Sequence, residues 1–245
     1  MGWLVILKRN FIAWKKGWYG VIFSSIEILI FILGFGVGLN QIVGEVNGMR
    51  YVEFILPSIV IIPSMNNGFF ETTYNSFSKM FYGKMFYAYL YTPASVLDIY
   101  VGELLWGITR GLMSSAISLL VLSISGLVDL SFGKVLTLLV LSTYVGLCLS
   151  ALGLLLTAVA PNINFFDYFF YVYISPITLL SGTFFPLDVF PSVFENIVFL
   201  VSPLYHGLNL FRSESINVVN IVYLLTFSVV VIALGVKMLN KRLIE

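Results

Sequence analysis

Long apolar runs separated by short polar punctuation organise the chain, and their lengths predict an all-α membrane protein. About 20 consecutive apolar residues cross the ~30 Å hydrocarbon core of a bilayer as a helix. Runs of that kind occupy residues 21–39, 54–71, 100–124, 135–159, 165–182 and 218–236, which gives six predicted spans within a single domain, 1–245. The first carries Gly34 and Gly38 at a spacing that lets another helix approach, and the second carries Pro57 and Pro63, which predict a kink. Thr92 and Pro93 read as N-cap and first helical residue ahead of the third span.

Two stretches depart from the span-and-loop pattern. In residues 3–18, Trp3, Leu7, Phe11, Trp14 and Trp18 share one helical face, with Lys8, Arg9, Lys15 and Lys16 off it. That pattern predicts an amphipathic helix in the interface, its aromatics among the headgroups and its cations on an anionic leaflet. Residues 183–212 follow the fifth span without the short polar loop of an ordinary exit. Phe184, Phe185, Pro186, Leu187, Asp188, Val189, Phe190 and Pro191 are still hydrophobic enough for bilayer depth, and Gly182 permits a sharp turn that Pro186 and Pro191 keep from becoming helix. Irregular backbone at that depth needs protein or a water-filled cavity around it, so this stretch is predicted to be a re-entrant helical element between spans five and six.

Basic residues set orientation. With the N-terminus inside, the cytoplasmic side receives nine cations (Lys8, Arg9, Lys15, Lys16, Lys79, Lys84, Lys237, Lys241 and Arg242) and the outer side three (Arg50, Lys134 and Arg212). The expectation is a multi-pass cell-membrane protein with both termini cytoplasmic. Composition agrees with the membrane class: 59% hydrophobic, 10% charged and a mean hydropathy of +0.99, against about a quarter charged in soluble domains. A net charge of +1 argues against nucleic acid as a partner, and the single Cys148 permits no internal disulfide.

Catalytic constellations do not assemble. One histidine, His206, cannot supply a paired-histidine metal site, and Gly133-Lys134 is followed by Val135 where a phosphate-binding loop needs Ser or Thr. The expectation is therefore no metal, no cofactor and no nucleotide site in this chain. Ionisable residues in spans are functional candidates by default, which singles out Glu27, Glu71, Glu103 and Arg110 as pathway or packing charges. Glu103 and Arg110 share a face but are separated by a rise of ~10 Å, so Arg110 is predicted to pair with a carboxylate on another span.

The motifs Ser181-Gly182-Thr183-Phe184-Phe185-Pro186-Leu187-Asp188-Val189-Phe190-Pro191, Ser202-Pro203-Leu204-Tyr205-His206 and Arg212 resemble the signature of ABC-2-type permeases. Thr92-Pro93-Ala94-Ser95-Val96-Leu97-Asp98 running into Gly102-Glu103-Leu104-Leu105-Trp106 is similar to the same family's stretch before its third span, in the branch of nodulation lipo-oligosaccharide and daunorubicin-resistance exporters. The resemblance implies a membrane subunit that is not itself an enzyme. It would form a homodimer, dock two copies of an ABC ATPase that bind ATP and Mg, and move an amphiphilic or lipid-linked substrate outward: a drug, lipo-oligosaccharide, polysaccharide or lipid. It also implies that residues 72–98 hold the ATPase-coupling segment, with Lys79, Lys84, Met85, Phe86, Tyr89, Thr92, Pro93 and Asp98 as its residues. On that segment Met80, Phe81, Met85, Phe86, Tyr89 and Leu90 are large apolar side chains expected to face water and a partner. An ion-coupled secondary transporter or channel is the alternative, and inverted repeats and midplane acids would mark it.

Overall fold

The computed structural model describes residues 2–17, 26, 29–46, 48–213 and 217–244. Glu27, Trp18 and the first part of the predicted span 21–39 lie outside the described residues. The chain opens with α1 (Gly2–Lys16), and α2 (Leu29–Val43) follows with its middle, Ile32–Leu39, wound as a π-helix. An antiparallel hairpin of β1 (Glu45–Val46) and β2 (Met49–Arg50) leads into α3 (Tyr51–Phe81). The short α4 (Met85–Leu90) precedes α5 (Val96–Ser125) and α6 (Phe132–Val159). Next comes α7 (Phe165–Leu180), with a π turn at Phe170–Ile174, then a 3-10 turn at Leu187–Val189. The chain closes with α8 (Ser192–Val201), α9 (Pro203–Arg212) and α10 (Val218–Ile244).

Among the described residues four helices, α3, α5, α6 and α10, are long and apolar enough to cross a membrane, while α2, α7 and α8 are shorter apolar helices. The all-helical, multi-pass class predicted from the pattern of apolar runs therefore holds. Four of the six predicted spans coincide with these long helices, and the other two, 21–39 and 165–182, overlap the shorter α2 and α7.

Helix α3 is the axis of the bundle, packed against α5 and α6, with α10 against α6 and, at Gly235, against Tyr100 of α5, and α1 against α5. Close approach depends on small residues. A Cβ added at Gly107 or Gly153 would collide with Thr72, so α5 and α6 both come within backbone reach of α3 at that level. Gly34 and Gly38 do not play the predicted part within the chain. It is Gly36 that faces Val52 and Leu127, while Gly34 has open space beside it.

Two sequence boundaries move. The second span was expected to end at residue 71, yet α3 continues through a π turn at Glu71–Asn75 as far as Phe81. Its polar residues are satisfied inside the bundle: Thr72 Oγ1 donates to the Gly68 carbonyl at 2.8 Å, Thr73 Oγ1 to the Phe69 carbonyl at 2.6 Å, and Thr157 Oγ1 of α6 to the Thr72 carbonyl at 2.7 Å. The connection to α5 is thereby reduced from 72–98 to 82–95. At its end, Ser95 rather than Thr92 caps α5, in a capping box with Asp98, and Pro93 lies in the preceding turn. The box prevails because an acid at the third helical position reaches back to the cap amide, and Thr92 has Ser95 at the corresponding place.

Candidate functional site

Side chains converge at the end of the bundle where α1, the last turns of α3, the start of α5 and the close of α10 meet. Glu103 of α5 is fully buried, and both of its carboxylate oxygens are taken. Asn10 Nδ2 of α1 donates to Oε1 at 3.0 Å, while Ser76 Oγ and Lys79 Nζ of α3 reach Oε2 at 2.8 and 2.7 Å. Lys79 also lies 3.7 Å from Glu71 Oε1, and Arg110 Nε lies 3.5 Å from Glu71 Oε2. Two carboxylates and two cations thus form one balanced cluster between α3 and α5, with Asn10 of α1 joining it as a neutral donor, the arrangement in which buried charge is tolerated. Arg110 does find its carboxylate on another span, and its guanidinium covers the Trp14 ring at 5.6 Å. Lys79, expected on the coupling surface, is turned inward instead, because Glu103 offers it a dry partner. Asn10 and Ser76 carried no signal in the sequence beyond being polar residues on otherwise apolar faces.

Further contacts tie the neighbouring elements together at this end. Asp98 Oδ1 accepts the Trp3 amide at 3.0 Å, taking one of the free amides of the first turn of α1. Arg9 reaches the Met85 sulfur. Arg242 of α10 caps the end of α6 by donating to the Thr157, Ala158 and Ala160 carbonyls at 3.2, 3.1 and 2.7 Å. Tyr74 donates to Asp167 at the start of α7 at 2.5 Å. Helix α1 turns Ile6 and Asn10 to the bundle, with Trp3, Leu7, Arg9 and Trp14 half-buried. Leu4, Val5, Lys8, Phe11, Ile12, Lys15 and Lys16 are exposed, so the aromatic face drawn from the sequence is shared between α5 and the outside.

The connection 82–95 corrects one expectation outright. Phe86 is fully buried and cannot be a docking side chain; it packs into the main core with Phe77, Met80 and Ile99. Met85, Tyr89 and Leu90 are half-buried. The exposed residues of the connection include Tyr82, Lys84, Tyr91, Thr92 and Pro93, with Tyr91 93% exposed, and Phe81 at the end of α3 is exposed beside them. Lys84 adopts a left-handed backbone at φ 51° and holds its ammonium over the Phe81 and Tyr87 rings at 5.0 and 5.7 Å.

At the opposite end Gly182 has φ +75°, the turn the sequence reserved for it. Arg212 ties this turn to α3, since Nη1 donates to the Gly182 carbonyl at 2.6 Å and Nη2 to the Phe54 carbonyl at 2.8 Å, with the guanidinium 3.9 Å above the Phe54 ring. A cavity of about 270 Å³ opens beside it, lined by Gly182, Pro186, Asp188, Glu195, Tyr205 and Arg212 among others. Phe185 is exposed, and Pro191 immediately precedes α8. His206 is fully buried, its Nδ1 2.8 Å from Asn220 Oδ1 and its Nε2 2.7 Å from the Phe199 carbonyl. Among the described residues no group of three His, Cys, Asp or Glu side chains is placed to hold a metal ion.

Comparison with known proteins agrees with the resemblance carried by the motifs. Nodulation protein J of Rhizobium leguminosarum bv. trifolii is 33% identical over 214 residues, covering 86% of this chain and 80% of that protein. Nodulation protein J of Sinorhizobium fredii is 29% identical over 250 residues, 99% of this chain and 94% of its own length. The protein of the same name from Rhizobium leguminosarum bv. viciae is 32% identical over 213 residues. The family described as ABC-2 type transporter matches residues 1–216, and with these relatives it establishes that the chain is a membrane protein of the ABC-2 type transporter family.

Proposed function

We propose that this chain is the permease subunit of an ABC exporter, driven through the exposed connection 82–95 by a separate ATPase that binds ATP and Mg. The observation carrying this reading is the join between that connection and the buried ion cluster. Phe81, Tyr82, Lys84 and Tyr91 stand exposed on a segment whose other side is packed into the core by Phe86 and whose far end is fixed by the Ser95–Asp98 box. A push on that surface acts on α3 and α5 together, because Lys79, Glu71, Glu103 and Arg110 cross-link them. With the nine cations in the cytoplasm, the cluster end faces the ATPase and the cavity at Arg212 faces outward. Two copies form the route at a twofold interface, which offers an amphiphile a path between the bundles.

The substrate is taken to be amphiphilic or lipid-linked. A screen of ATP hydrolysis by the reconstituted complex against drugs, lipo-oligosaccharides, polysaccharide precursors and lipids tests this. Stimulation by one class and not the others supports the reading, whereas hydrolysis indifferent to all of them and to the presence of this chain contradicts it.

A further inference from the structure

Two hollows adjoin at the Arg212 end of the bundle, one polar and one apolar. The polar one is the cavity of about 270 Å³ beside Arg212. Both acceptors that Arg212 reaches, the Gly182 and Phe54 carbonyls, are neutral. Among the described residues it forms an ion pair with no carboxylate, and its buried Nε has no partner. A guanidinium does not shed its charge in a protein, so this wall of the cavity carries a positive charge and unused N–H donors. Asp188 of the 3-10 turn and Glu195 of α8 line the same cavity, both exposed and neither paired with a cation among the described residues. The apolar hollow, of about 330 Å³, is formed chiefly by Phe199 of α8 and by Val219, Val222, Tyr223 and Phe227 of α10.

The two hollows meet along α8. Glu195 and Phe199 are four residues apart on one helix face, and the Phe199 ring lies 6.1 Å from that of Tyr205, which lines the polar cavity. Their levels match the layers of a bilayer. The polar cavity sits where spans end, beside Phe54 in the first turn of α3 and Gly182 just past α7. The apolar groove follows the first turns of α10 from Val219 to Phe227, a rise of about 12 Å toward the hydrocarbon.

We infer that the two hollows together hold a membrane phospholipid with a zwitterionic headgroup, its phosphate on Arg212, its primary ammonium on Asp188 and Glu195, and one acyl chain along α10. The charges select this class. A purely anionic headgroup would leave the two carboxylates opposed, a cationic amphiphile would meet Arg212, and a quaternary ammonium has no N–H to give the carboxylates. The polar cavity lies below the ~300 Å³ at which small-molecule pockets begin, so it admits a headgroup and not a whole amphiphile. The site belongs to the chain in its membrane and does not depend on the exporter reading.

Native mass spectrometry of the full chain ejected from nanodiscs of equal parts phosphatidylethanolamine, phosphatidylcholine and phosphatidylglycerol tests this. Retained phosphatidylethanolamine is expected to exceed each of the other two by about tenfold. Asp188→Asn/Glu195→Gln changes two exposed side chains; at an unchanged melting temperature it is expected to bring the preference over phosphatidylglycerol down to about one. Val222→Trp fills the groove from an exposed position and is expected to lower phosphatidylethanolamine retention severalfold. Equal retention of the three lipids by the unaltered chain would mean annular lipid only and would overturn the site. A preference for phosphatidylglycerol, or an unchanged preference in the double variant, would remove the carboxylates from it and overturn the zwitterionic assignment. Undiminished retention by Val222→Trp would overturn the place given to the acyl chain.

Discussion

Glu103 is a fully buried acidic side chain in a span, and Lys79, Asn10 and Ser76 take up both of its oxygens. Glu103→Gln keeps the shape but leaves Lys79 and Arg110 to share the single carboxylate of Glu71, one buried positive charge in excess. The expected loss is about 3–5 kcal/mol, read as a fall in melting temperature of the detergent-purified protein, and Lys79→Met/Glu103→Gln should recover part of it because no charge is then left unpaired. A double variant less stable than Glu103→Gln alone would show that the two residues do not act as a pair. Gly182→Ala forces a side chain into the left-handed region at φ +75° and should cost about 1–2 kcal/mol on the same scale. The sequence pointed to both positions, Glu103 by its charge in an apolar run and Gly182 by the break it makes. Partner identity was not legible: Asn10 is separated from Glu103 by 93 residues, and only packing brings them together.

At the level of elements, the apolar runs located the helices but misplaced two ends, the start of α5 because its Ser95–Asp98 box went unread and the end of α3 for another reason. Polarity was read as exit from the membrane, while Thr72, Thr73 and Ser76 are polar residues that bond within the bundle and let α3 run on through its π turn. The same misreading assigned Phe86 to a surface. Phe86→Asp is now expected to abolish folding, seen as loss of a monodisperse detergent-purified species, because a charge would be buried without a partner. Tyr82→Asp and Tyr91→Asp replace exposed rings and should leave the melting temperature within a few degrees of the unaltered protein, consistent with surface changes of about ±0.5 kcal/mol. Normal folding of Phe86→Asp would mean that α4 is not part of the core.

For the whole molecule, the contacts gather the ends of α1, α3 and α10, with Lys79 and Arg242, at one end and Gly182, Phe54 and Arg212 at the other, and the count of basic residues predicts that the first end is cytoplasmic. Cysteines at Glu195 and at Tyr91 should therefore react with an impermeant reagent from opposite sides of intact cells, Glu195→Cys from outside and Tyr91→Cys after permeabilisation alone. Labelling of both from outside would reverse the orientation. Family membership was legible in the motifs of residues 92–106 and 181–212, whereas the exposed side of the connection 82–95 was not, because exposure depends on which side of α4 the core takes. The decisive measurement is ATP hydrolysis by an ABC ATPase co-purified with this chain in nanodiscs, compared with Tyr82→Asp/Tyr91→Asp. The unaltered chain should hold the ATPase and change its rate, and the folded double variant should lose both; equal binding and hydrolysis by the two would contradict energy entering through residues 82–95.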